Sequence, residues 1–66
     1  MCEKLNRLKA SRETAYAEVS VLESYVREVV AGRQTPERGM LTQVMAEIDT
    51  THAIIRRIDD EILKLL

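Results

Sequence analysis

Two long runs of helix-forming residues can close on each other only where something stops the first and starts the second. In this chain the signals for both cluster in Ala31-Gly32-Arg33-Gln34-Thr35-Pro36-Glu37. Gly32 can take the left-handed backbone conformation that ends a helix. Pro36 has its φ already near the helical value and lacks an N–H that the first helical position would leave unpaired. Thr35 is a good N-cap, and Glu37 places negative charge at the positive end of the new helix dipole. The segment predicts one domain over residues 1–66 with a helix over about 3–31, a turn over about 32–35 and a second helix over about 36–65. Gly39 then falls in the first turn of the second helix, which it weakens by up to about 1 kcal/mol relative to alanine.

Both arms carry a coiled-coil stripe. Leu5, Leu8, Arg12, Ala15, Val19, Leu22, Val26 and Val29 alternate in steps of three and four, as do Leu41, Val44, Ile48, Thr51, Ile55, Ile58, Ile62 and Leu65. That spacing keeps each row on one helix face. A connection of about four residues between arms of equal length leaves only an antiparallel arrangement. The expected fold is therefore all-α: an antiparallel two-helix hairpin with coiled-coil packing, completed by dimerisation or by a partner chain.

Pairing the arms about the turn makes facing residue numbers sum to about 67. Leu5 is then expected opposite Ile62, Leu8 opposite Ile58, Val19 opposite Ile48, Leu22 opposite Val44 or Met45, and Val26 opposite Leu41. The polar exceptions gather into one layer, Arg12–Tyr16–Thr51–His52, with Arg12 within reach of Asp59. Such a layer would resist slippage, because a shifted register would bury polar groups without partners. Glu3–Arg7, Glu23–Arg27 and Asp60–Lys64 stand acid-first at i, i+4 and read as solvated surface pairs.

The chain has 66 residues, and at that size a single core rarely contributes more than about 3 to 5 kcal/mol, so help from outside is expected. One cysteine excludes an internal disulfide, and one cysteine with one histidine cannot build a zinc site. With 10 basic and 11 acidic residues interspersed, the net charge of −1 argues against capture of nucleic acid or an anionic membrane. No run approaches the roughly 20 apolar residues of a membrane span, and the start Met1-Cys2-Glu3-Lys4 does not open a signal peptide, so a cytoplasmic location in a reducing compartment is expected.

The chemistry-bearing residues do not converge. His52 has no second ligand or nucleophile at i, i+4, and Cys2 reads as an incidental thiol on a fraying terminus. Asp59-Asp60-Glu61 splay about 100° apart around a helix, unlike the converging oxygens of a calcium loop. No cofactor, metal, small-molecule substrate or catalytic residue is expected. The surplus apolar residues carry more information. Tyr16, Val21, Tyr25, Val30, Met40, Met45 and Ile54 lie outside the stripes, as does Leu66, and adaptable methionine beside rigid tyrosine suits a contact surface. These are the candidate partner-binding residues.

Two resemblances follow. The tail Ile54-Ile55-Arg56-Arg57-Ile58-Asp59-Asp60-Glu61-Ile62-Leu63-Lys64-Leu65-Leu66 is similar to the opening phrase of the helical chorismate mutases. In that family the substrate-holding arginines, lysine and carboxamide or carboxylate come from further helices, and mutase activity is not expected. Over the whole chain, the size, Ala31-Gly32 closing the first helix, Pro36-Glu37 opening the second, Leu41, and Ala53-Ile54-Ile55 through Ile58 resemble the small hairpin chaperones of the type III secretion needle subunit. Gly39 and the acidic segment Asp59 to Glu61 depart from that pattern. The resemblance implies a non-catalytic component of the bacterial cytoplasm that binds a helical-repeat co-chaperone and helps keep the needle subunit soluble before export. The alternative is a self-associating hairpin that forms a dimeric four-helix bundle with a regulatory or structural role.

Overall fold

The first helix is started by the residue that the sequence reading took for incidental. Cys2 is extended (φ −99°, ψ 101°), and its Sγ accepts a hydrogen bond from the Leu5 N–H at 3.3 Å, so it is the N-cap of α1, Glu3–Val30. Glu3 adds negative charge to the first turn, where the helix dipole favours it. In this computed structural model, which describes residues 2–66, α1 packs along a single further helix, α2, Met40–Leu65. The two form an antiparallel hairpin measuring 48 × 16 × 13 Å.

Gly32 ends α1 as expected. It sits at φ 80°, its N–H donates to the Val29 carbonyl at 3.1 Å, and the Arg33 N–H reaches back to the Glu28 carbonyl at 3.0 Å. These two bonds are the Schellman pattern, which satisfies carbonyls that the helix end leaves free. An apolar contact usually accompanies the motif, but here the side chains at those two positions form an ion pair, Arg33 Nε to Glu28 Oε2.

The start of α2 departs from the expectation. Thr35 is not its N-cap and Pro36 is not its first residue; residues 35–37 are irregular, and the helix begins at Met40. Gly39 decides this. At φ 79°, ψ −9° it has the geometry of the third residue of a type II turn, closed by the Met40 N–H donating to the Glu37 carbonyl at 3.0 Å. A residue in that conformation cannot continue a right-handed helix back to Pro36. Gly39 is therefore the N-cap and not a weak point inside the first turn.

The longer connection changes the register. Arg12 Nη1 donates to Asp59 Oδ1 at 3.0 Å, residue numbers that sum to 71. Ala15, Val19 and Ile55 form the central core cluster, and 15 and 55 sum to 70. A sum of 70 matches the two stripes layer for layer, from Leu5 with Leu65 through Ala15 with Ile55 to Val29 with Leu41. The expected pairings of Leu5 with Ile62, Leu8 with Ile58, Val19 with Ile48, Leu22 with Val44 or Met45, and Val26 with Leu41 are each displaced by nearly one helical turn. Every stripe residue is buried or half-buried except Leu65, which is 39% exposed.

The expected polar layer separates into parts. Thr51 is buried, and its hydroxyl donates to the Glu47 carbonyl one turn back at 2.8 Å, so it needs nothing from α1. Arg12–Asp59 is the cross-helix link among the described residues, while Tyr16 and His52 stay exposed beside it. None of the three anticipated i, i+4 pairs is closed. Lys64 turns instead to Glu61 at 3.4 Å.

Candidate interaction surface

A hairpin has one seam, and this one encloses little. The buried apolar residues are Ala15, Val19, Val44, Ile55 and Ile62, and among the described residues none is wholly sealed from solvent. The accessible surface is 5219 Å² for a mass of 7.6 kDa. A compact monomer of that mass exposes about 4,300 Å². The excess of about 900 Å² is close to the roughly 800 Å² that each partner contributes to a standard interface.

Exposed apolar side chains border the seam. Tyr16, Val21, Val30, Met45 and Ile54, five of the seven expected partner-binding residues, are exposed, Val30 to 80%. Tyr25 and Met40 differ: both are half-buried. Leu63, 69% exposed, joins the uncovered set with Leu65 and Leu66. Leu63 was missed because it follows the stripe residue Ile62 directly, and consecutive helix positions point about 100° apart.

These residues do not form one patch. On one flank of the seam lie two rows of heptad spacing, Lys9-Tyr16-Glu23-Val30 on α1 and Met45-His52-Asp59-Leu66 on α2. Two shallow grooves confirm that the rows share a side. Tyr16, His52, Ile55, Arg56 and Asp59 line one of about 270 Å³, and Lys9, Arg12, Asp59, Ile62, Leu63 and Leu66 line the next, of about 440 Å³. Asp59 belongs to both. On the opposite flank the corresponding rows are Lys4-Ser11-Glu18-Tyr25 and Met40-Glu47-Ile54-Glu61, with Val21 at their outer edge. The first flank mixes charges of both signs, and the second carries three carboxylates against one lysine.

The surface offers docking chemistry. Among the described residues no group of three or more His, Cys, Asp or Glu side chains is placed to hold a metal ion, and no helix is long and apolar enough to cross a membrane. No family model, curated protein or solved structure matches the chain.

Proposed function

We propose that this protein is a non-catalytic interaction module of the bacterial cytoplasm: a helical hairpin that binds a helical-repeat co-chaperone and through it helps keep a type III secretion needle subunit soluble before export. The observation that carries the interaction reading is the set of apolar side chains left uncovered on both flanks of a single-seam hairpin. The chaperone assignment rests on the resemblance in size, Gly32 turn and heptad pattern, without Pro36-Glu37 as a helix start. The carboxylate-bearing flank, with Val21, Tyr25, Met40 and Ile54 among Glu18, Glu47 and Glu61, suits a concave repeat surface lined with apolar pockets and lysine or arginine. The partner there would stabilise the hairpin by mass action.

The test is co-expression with candidate helical-repeat proteins of the host, followed by co-purification. Ile54→Asp is expected to abolish the complex while leaving helix content unchanged by circular dichroism, because Ile54 is exposed and a charge there meets water in the free hairpin. Retention of the complex by the Ile54→Asp chain would overturn this placement of the partner. Failure of wild type to retain any helical-repeat protein would overturn the chaperone reading itself.

A further inference from the structure

We infer that the mixed-charge flank is the interface of an antiparallel homodimer whose two-fold axis passes at the level of Tyr16. The geometry of the two rows carries this. Stacking two hairpins face to face with opposite direction lays α1 on α1 and α2 on α2, so each row must be complementary to its own reverse. Reversed about Tyr16, the α1 row sets Lys9 against Glu23 of the second copy and Tyr16 against its own equivalent. Reversed about its midpoint, the α2 row sets Met45 against Leu66 and His52 against Asp59 of the second copy. That midpoint lies between residues 55 and 56, within about 2 Å of the level of Tyr16 in a hairpin whose facing numbers sum to 70 or 71. The two rows thus become self-complementary about nearly one axis, with Arg56, which lines the same groove, brought beside its own equivalent there.

On the opposite flank, reversal about Glu18 on α1 and Ile54 on α2, positions near one level, sets Glu18 against itself and Glu47 against Glu61. Like charges so placed oppose association. The surface excess of about 900 Å² fits the roughly 800 Å² a standard interface takes from each partner. Exposed Tyr16, Met45, Leu63 and Leu66 supply the apolar part. The inference does not depend on the chaperone reading, since it concerns the isolated chain and the flank that reading leaves free.

The test uses the purified full chain alone. Sedimentation equilibrium is expected to show a dimer, with Lys9→Glu and Glu23→Lys each weakening it by roughly three- to tenfold, since each reversal acts twice in the dimer. The double reversal is expected to restore the wild-type constant, which a merely structural role would not do. Orientation is read by oxidation. Cys2 lies 14 residues from the axis, so two copies of its thiol stand about 40 Å apart and do not cross-link. Tyr16→Cys in a Cys2→Ser background is expected to form a disulfide dimer. A monomer at 100 µM, single reversals without effect, or cross-linking through Cys2 but not through position 16 would each overturn the proposal.

Discussion

Gly32 and Gly39 show how two residues of one type meet the same backbone demand for different ends. Both have φ near +80°, one closing α1 and the other opening α2, and a Cβ added at either would touch nothing within 4 Å. An alanine there is strained only through its own backbone, at a cost of about 1 kcal/mol. Each Gly→Ala change is therefore expected to lower the melting temperature by roughly 4 to 8 °C, and D-alanine at the same position, made by chemical synthesis, to raise it. Thr51 is the second informative position. Its buried hydroxyl is satisfied within α2, so Thr51→Val removes a donor and its local bond together without orphaning any group of α1. Urea denaturation is expected to find the valine chain as stable as wild type or more so, within about 1 kcal/mol. A loss of several kcal/mol would mean that Thr51 bridges the helices after all.

The two helices differ in how their ends are held. α1 has a sulfur cap at its start and a Schellman closure at its end, whereas α2 begins on a glycine that offers no side-chain acceptor. Thr35 looks like the missing cap and stands four residues too early. Thr35→Ala is expected to change stability by less than about 0.5 kcal/mol, where loss of a true N-cap would cost about 1 kcal/mol; thermal unfolding followed by circular dichroism separates the two. The cross-helix ion pair adds little to this picture. Arg12 and Asp59 keep 35% and 40% of their side-chain surface in solvent, so their pairing marks the register more than it stabilises it.

As a whole the molecule is a rod whose radius of gyration, 15.0 Å, exceeds the roughly 11 Å of a compact domain of this length. A rod of two helices has one internal face and two flanks, and its stability is expected to grow when a flank is covered. If the covering chain is a second copy, the melting temperature must depend on concentration. Taking about 0.7 kcal/mol of unfolding enthalpy per residue over both chains gives a rise of about 5 °C for each tenfold increase. A melting temperature constant from 5 to 500 µM would describe a self-sufficient monomer.

Much of this was legible in the residues. Steps of three and four named both stripes, and Gly32 announced the end of α1, because these signals depend on helix geometry and one backbone conformation. The same stripes held the true register as well: their positions pair one to one at a sum of 70, a match hidden by counting outward from the turn. The start of α2 was not legible from local rules. Pro36 and Gly39 stand within one helical turn of each other and both can begin a helix. The register of the packed seam spans sixteen side chains on two helices, and only the folded chain shows which start is compatible with it. The division of the surplus apolar residues into two flanks of different charge came likewise from the fold. Which residues are uncovered follows from periodicity, but which of them share a side depends on how the helices face each other.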